Sequence, residues 1–96
     1  MTEPIVRFER GDGYWVPERD SIGFTGTTEQ GPVEFLITAE ALAQLLNPDF
    51  DTLDSETAFE TYLEFEEVIH RIAHREFMSR LGGEPPILLT TWDVVS

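Results

Sequence analysis

One acid–imidazole pair interrupts the apolar pattern in the last third of the chain. Glu66 and His70 are four residues apart, so on an α-helix they lie on the same side, one turn from each other. Glu66 falls inside the predicted apolar arc and His70 near its edge. A carboxylate and an imidazole at this spacing can share a proton, so the pair could serve acid–base catalysis or bind a polar ligand. The structural alternative is that Glu66 hydrogen-bonds into the sheet or the first helix, or emerges where the sheet ends.

A metal site is the second chemistry that the spacing suggests. With His74 the pattern becomes E-x-x-x-H-x-x-x-H, which can place two imidazole ligands on one helix face. A catalytic zinc ion needs three converging protein ligands, the chain has no other histidine, and His74 falls toward the polar side. Cysteine is absent, as are a glycine-rich phosphate loop and a nucleophile elbow. We therefore expect no metal, no cofactor and no catalytic residue set.

The two tryptophans are candidate interface residues. Trp15 and Trp92 are considered because tryptophan is enriched at the hot spots of protein interfaces. The alternative for each is partial burial at the edge of the sheet. Glu76 and Arg80, also four residues apart, are expected to form an ordinary ion pair near a helix end.

A long helix must position the acid–imidazole pair. The sequence predicts one continuous helix from Thr57 to Leu81, capped by Asp54 or Ser55 and ended by a double glycine at residues 82 and 83. Its acids lie toward the N-terminus and its arginines toward the C-terminus, which complements the helix dipole. The apolar residues recur at the 3.6-residue period and form one broad arc, made of Ala58, Phe59, Tyr62, Leu63, Phe65, Ile69, Ile72, Ala73, Phe77 and Leu81.

The remaining elements predict an α+β fold. Thr38 is suited to cap a short helix from Ala39 to Leu46, which Asn47-Pro48 ends. Alternating or β-branched apolar segments predict the strands Ile5–Phe8, Ser21–Thr25, Val33–Ile37 and Ile87–Val95. We expect a two-layer domain with an antiparallel sheet of three or four strands and both helices on one face. The predicted core comprises Phe24, Phe35, Ile37, Leu42, Leu45, Phe59, Leu63, Ile69, Ile72, Ala73, Phe77 and Leu88.

Length and charge limit the classes of function. Ninety-six residues fit a single domain, and residues 1–13 are expected to be a less ordered or edge-strand segment. The net charge is −13, lysine is absent, and twelve acids but no basic residue lie between Asp20 and Glu67. Such a surface repels phosphate backbones and anionic lipids, so we expect neither nucleic-acid nor membrane binding. The absence of cysteine and of an apolar leader favours a cytoplasmic location.

Three segments resemble a known family. They are FLITAEAL at residues 35–42, the helical segment from Phe65 to Phe77, and ILLTTWD at residues 87–93. Together they resemble the small bacterial proteins of the domain of unknown function 1488 (DUF1488) family, over about Tyr14 to Val95. The resemblance implies a compact α+β domain. It implies no activity and no catalytic residues, and the acidic helix and missing lysines are departures from the family's usual composition.

These observations lead to two hypotheses about function. The first is a non-enzymatic interaction or regulatory module that binds a protein partner or a second copy of itself, because the chain is small, acidic and without a recognisable catalytic set. The alternative is a small-ligand or enzymatic site around Glu66 and His70. The second hypothesis predicts a cavity at that helix turn and a shifted pKa for one residue of the pair.

Overall fold

A long antiparallel hairpin forms the centre of the sheet. In the computed structural model, which describes residues 6–80 and 86–95, strand β3 (Ser21–Thr28) pairs with β4 (Gly31–Thr38) along their full length. Gly31 at the turn has a φ of 117°, a conformation that glycine adopts without strain. Phe24 lies opposite Phe35, and their rings stack with centroids 5.3 Å apart. The predicted hairpin is therefore confirmed, with longer strands than expected.

Three short strands complete a five-stranded sheet. Strands β1 (Arg7–Phe8) and β2 (Tyr14–Val16) both pair antiparallel with β3, and β5 (Ile87–Leu89) pairs parallel with β4. A single 3-10 turn, Pro17–Arg19, links β2 to β3. The prediction of a wholly antiparallel sheet was thus wrong. The chain crosses from β4 to β5 through three helices, and a long crossover returns a strand in the parallel direction.

The end of the chain is not one strand. The predicted strand from Ile87 to Val95 stops at Leu89, and residues Thr91–Val95 form a short helix, α4. Asp93 causes the change of structure, because its carboxylate accepts a hydrogen bond from the backbone N–H of Thr90 at 2.8 Å and so caps the first turn.

The predicted long helix is two helices. Helix α2 (Ser55–Glu64) and helix α3 (Glu66–Ser79) are separated at Phe65, whose φ and ψ are −104° and 18°. Asp54 caps α2 by accepting a hydrogen bond from the backbone N–H of Thr57, as one of the two predicted caps. The predicted end at Leu81 and the double glycine lie outside the described residues.

The first helix matches its prediction. Helix α1 (Ala39–Leu46) begins at the N-cap Thr38, whose hydroxyl accepts a hydrogen bond from the backbone N–H of Ala41 at 3.0 Å. It ends before Pro48, as expected for a residue that disfavours a preceding helical turn. Among the described residues, no helix combines the length and apolar character needed to cross a membrane.

The core lies between the sheet and the helices. Leu63, which was predicted to be in the core, is 43% exposed, because the break at Phe65 changes the direction of the apolar face. Leu45, Phe59, Phe77 and Leu88 are only partly buried. The other predicted core residues are buried, and the α+β fold class is confirmed; these residues are Phe24, Phe35, Ile37, Leu42, Ile69, Ile72 and Ala73.

Candidate functional site at the α2–α3 junction

A cavity of about 320 Å³ lies where α2 gives way to α3. Strand β1 and the loop after it form one wall, the last turn of α2 forms another, and the first turn of α3 forms the third. The cavity is lined by Phe8, Arg10, Leu63, Glu64, Glu66, Glu67 and His70. The two residues singled out by their spacing, Glu66 and His70, therefore line one cavity, and the helix break at Phe65 gives it its shape.

Glu66 is a buried carboxylate with one oxygen anchored. Glu66 is only 9% exposed to solvent, and its Oε2 accepts a hydrogen bond from the backbone N–H of Gly11 at 2.7 Å. Gly11 has a φ of 77°, which favours glycine there. No described residue donates a hydrogen bond to Oε1. No buried side-chain oxygen among the described residues lacks a partner, so Oε1 is reached by solvent and can bond to a donor that enters the cavity.

His70 is held between aromatic rings. Its imidazole stacks on the Phe8 ring, with centroids 4.5 Å apart and planes inclined by 13°, and it also contacts the Phe24 ring. Nε2 lies 3.0 Å from the phenol oxygen of Tyr62, which is fully buried. The imidazole plane is thus fixed from two directions, by the stacking and by the hydrogen bond.

The protonation states of Tyr62 and His70 follow from their burial. Burial, with a smaller contribution from Glu66, raises the pKa of Tyr62 far above its ordinary value, so the phenol keeps its proton. Among the described residues only His70 is placed to accept that proton, so we infer that Tyr62 donates to Nε2 and that the neutral imidazole carries its hydrogen on Nδ1. Burial lowers the pKa of His70, and the Arg10 cation lowers it further, against the opposing effects of Glu66 and Asp12.

The glycine-rich turn after β1 fits closely against Tyr62. A Cβ atom on Gly13 would lie 2.6 Å from Cε2 of Tyr62, so only glycine allows this approach. Asp12 fixes the turn to the sheet, because Oδ2 accepts a hydrogen bond from the backbone N–H of Thr25 at 3.2 Å. The turn therefore positions both the Gly11 N–H beneath Glu66 and Arg10 beside the cavity.

The other residues considered from sequence lie elsewhere. His74 is exposed, and among residues 6–80 and 86–95 no three histidine, aspartate or glutamate side chains converge on a point that could hold a metal ion. Trp15 is half-buried on β2, opposite Ile22 of β3. Trp92 is 80% exposed on α4.

A second polar cluster holds α4 in place. The Arg80 guanidinium forms ion pairs with Glu76 at 3.1 Å and with Asp93 at 3.3 Å. The Asp93 carboxylate also accepts from the Thr90 hydroxyl at 3.2 Å, and Arg75 donates to the backbone carbonyl of Asp93. The ion pair expected between Glu76 and Arg80 thus continues into the final helix.

Sequence reasoning missed several residues of the site. Tyr62 was treated only as part of an apolar arc, and Arg10 and Phe8 were not connected to the helix at all. A sequence signal existed for Asp93, because Thr-x-x-Asp at residues 90–93 is the pattern of a capping box. No comparable local pattern exists for Arg10 or Phe8, since they line the cavity only because the segment that ends at Gly11 contacts Glu66, more than fifty residues later in the chain.

Comparisons with known proteins bear on the fold. No family model matches the sequence, and no curated protein matches it. A crystal structure of a protein of unknown function from the DUF1488 family, from Shewanella loihica PV-4, superposes with a TM-score of 0.69. The match covers 93% of this chain and 96% of that chain at 17% sequence identity, which establishes the fold and assigns no activity. The resemblance expected from the sequence is thereby confirmed at the level of the fold: this chain has the α+β fold of a DUF1488-family protein.

Proposed function

We propose that this chain is a non-enzymatic interaction module that docks a protein partner through helix α4. The observation that carries the proposal is Trp92, a tryptophan that is 80% exposed on an ordered helix. Val95 is 54% exposed and lies three residues further on, so the two side chains share one face of α4. Exposed tryptophan is common at the centre of interfaces and costs solvation free energy when it has no partner.

Several contacts hold α4, which carries Trp92, against the rest of the fold. Asp93 caps the helix through Thr90, and Arg80 joins Asp93 to Glu76 of α3. Val94 packs against the core cluster on the other side of the helix. A side chain presented on a fixed support loses little conformational entropy when it binds, which favours its use as an anchor.

The charge of the chain indicates the character of the partner. A net charge of −13 opposes the approach of a second copy and attracts a positively charged protein. We therefore propose a basic protein partner, with self-association as an outcome that the experiment can detect. The same charge disfavours nucleic acids and anionic membranes. The family likeness and the absence of cysteine support the bacterial cytoplasm as the setting.

The test is capture of partners by tagged protein from bacterial lysate at low and high salt, with Trp92→Ala and Leu63→Ala as matched variants. Leu63 is also an exposed apolar helix residue but lies at the cavity. We expect to capture a basic protein in stoichiometric amount. Trp92→Ala should weaken its binding by about thirtyfold or more, and high salt should weaken the binding further. Binding that Leu63→Ala abolishes and Trp92→Ala spares would exclude docking through α4. A dimer in light scattering that Trp92→Ala dissociates would identify a second copy instead of a basic partner.

A second candidate function is a small-ligand or enzymatic site around Glu66 and His70. A specific observation favours it, namely a cavity lined by a buried glutamate, one of whose oxygens has no donor among residues 6–80 and 86–95, together with a neutral imidazole. An enzymatic role would require the imidazole to donate or accept a proton near neutral pH, which an imidazole with a lowered pKa can do. Ligand binding alone requires only the N–H donor of the imidazole in its fixed orientation. An ordinary pKa for His70 in an NMR titration would count against this site.

A further inference from the structure

We propose that the α2–α3 cavity binds a small zwitterion of the α-amino-acid class, with its ammonium group toward Glu66 and its carboxylate toward Arg10. The inference rests on the second candidate function and names the ligand class for that site. It concerns residues distant from Trp92 in the chain, so it stands or falls independently of docking through α4. Three features of the cavity support it, namely a carboxylate oxygen and a cation that no described residue pairs with, and an apolar wall.

Glu66 supplies the place for an ammonium group. Its Oε2 is held by the Gly11 N–H, which orients the carboxylate and leaves Oε1 without a donor among the described residues. The residue is 9% exposed, so a charged donor there would meet a carboxylate that water screens poorly. Glu64 and Glu67 at the same cavity add negative potential around that position.

Arg10 supplies the place for a carboxylate. Arg10 lines the cavity as an exposed residue and forms no ion pair within the described part of the chain, although three glutamates line the same cavity. Glu67 pairs instead with Arg71 at 3.8 Å. The neutral His70, whose hydrogen is on Nδ1, lines the same cavity and can supply a second donor. A guanidinium with a neighbouring N–H donor is a suitable receptor for a carboxylate.

The two ends together select a dipolar ligand. Arg10 would repel a simple cation, and Glu64, Glu66 and Glu67 would repel a simple anion. A ligand that carries both charges on neighbouring carbon atoms is attracted at each end. An analogue without the ammonium group leaves the buried Glu66 carboxylate without that partner, and an analogue without the carboxylate loses its pairing with the exposed Arg10.

The apolar wall indicates the side chain. Phe8 and the 43% exposed Leu63 line the same cavity and offer carbon surface beyond the polar ends. The 320 Å³ of the cavity leaves room for an aliphatic group. Leucine is therefore the probe we choose, with 3-methylbutylamine as its counterpart without the carboxylate and 4-methylpentanoate as its counterpart without the amine.

The experiment titrates the full chain with each of the three probes. Binding is monitored by NMR, from the His70 ring signals, and by calorimetry. Glu66→Gln and Arg10→Gln are the test variants, because glutamine removes the charge at each position and, at residue 66, preserves side-chain length and an acceptor for the Gly11 N–H. Glu40→Gln and Arg19→Gln are the charge-matched controls, since both residues are exposed and lie outside the cavity.

We expect leucine to shift the His70 ring signals in a saturable manner. Each test variant should weaken the binding of leucine by about tenfold or more. Both analogues should bind at least tenfold more weakly than leucine to the unmodified chain. The proposal is overturned if leucine causes no saturable shift, or if the controls weaken it as much as the test variants do. Equal binding of leucine and 3-methylbutylamine would also overturn the zwitterion class, while leaving the second candidate function with a cation as its ligand.

Discussion

Tyr62 donates its phenol hydrogen to Nε2 of His70 across 3.0 Å, and this bond joins α2 to α3 on either side of the break at Phe65. Tyr62 is fully buried, so its hydroxyl depends on His70 for its hydrogen bond. His70 in turn depends on Tyr62 for the tautomer that places a hydrogen on Nδ1. The orientation and protonation of the imidazole at the cavity are therefore set from the core.

Removal of the Tyr62 hydroxyl should raise the pKa of His70. The bond in which Nε2 accepts a hydrogen exists only in the neutral imidazole, so it stabilises that form. In Tyr62→Phe, burial still lowers the pKa, but this additional effect is absent. The measurement is an NMR pH titration of the His70 ring, with His74→Asn used to assign the two imidazoles. An unchanged or lower pKa in Tyr62→Phe would show that Nε2 carries the hydrogen instead.

Protonation of His70 should make stability depend on pH. Because the folded-state pKa is lowered from 6.5, the unfolded chain binds the proton more readily. The contribution of His70 is therefore fully present above about pH 6.5 and is lost as the pH falls through the folded-state pKa. Urea unfolding between about pH 8 and pH 5 measures this slope. His70→Gln should reduce the slope, whereas the exposed control His74→Gln should retain the His70 contribution.

Truncation of Glu66 should cost more than neutralisation. Glu66→Ala leaves the Gly11 N–H without its acceptor, and we expect a loss of about 1–3 kcal/mol in the free energy of unfolding. Glu66→Gln keeps an acceptor oxygen and should lose about 1 kcal/mol or less. The control is Glu67→Ala, whose side chain is 78% exposed and whose loss should be within about 0.5 kcal/mol. Equal losses for the alanine and glutamine variants would mean that the Gly11 bond contributes little.

A methyl group at residue 13 should disturb the site through its contact with the Tyr62 ring. Gly13→Ala places Cβ within van der Waals overlap of the Tyr62 ring, so the turn or the ring must move. We expect a loss of about 1–3 kcal/mol in unfolding free energy and a change in the His70 ring signals. Thermal unfolding and NMR provide the two readouts. A loss of stability without any change at His70 would indicate that the turn moves and the ring stays.

Loss of the Asp93 carboxylate should release α4. Asp93→Ala removes the acceptor for the Thr90 N–H and the ion pair with Arg80, and the cap alone contributes about 1 kcal/mol. We expect higher mobility of Trp92, measured by fluorescence anisotropy in a Trp15→Phe background. Asp51→Ala, an exposed acid in the loop before α2, is the control. Unchanged anisotropy in Asp93→Ala would assign the order of α4 to its packing alone.

Local sequence determined the elements that depend on neighbouring residues. Thr38 caps α1, Asp54 caps α2, and the alternating residues of β3 and β4 pair as a hairpin. Each cap contact spans three residues, and the hairpin strands are joined directly by the short turn between Thr28 and Gly31. The same holds for the spacing of Glu66 and His70, which α3 alone is sufficient to produce. Such features are fixed by the helical or strand period and by capping chemistry.

Tertiary packing decided where the long helix breaks. No glycine or proline lies between Ser55 and Ser79, so the local sequence favours one helix. A straight helix from Thr57 to Leu81 would be about 37 Å long, whereas two helices can each pack against a different part of the sheet. Helix α2 contacts β2 and β3, and α3 contacts β5. The change of direction moved Leu63 from the predicted core to the cavity wall.

Long-range contacts also decided the sheet and the chemistry of the site. The parallel pairing of β5 with β4 follows from the path through three helices, and three residues of strand cannot specify their own direction. The sequence by itself determined an α+β chain with an acid and an imidazole on one helix turn. Only the tertiary structure brought Arg10, Phe8 and the Gly11 N–H to that turn, because contacts between residues far apart in the chain depend on the packing of the whole core.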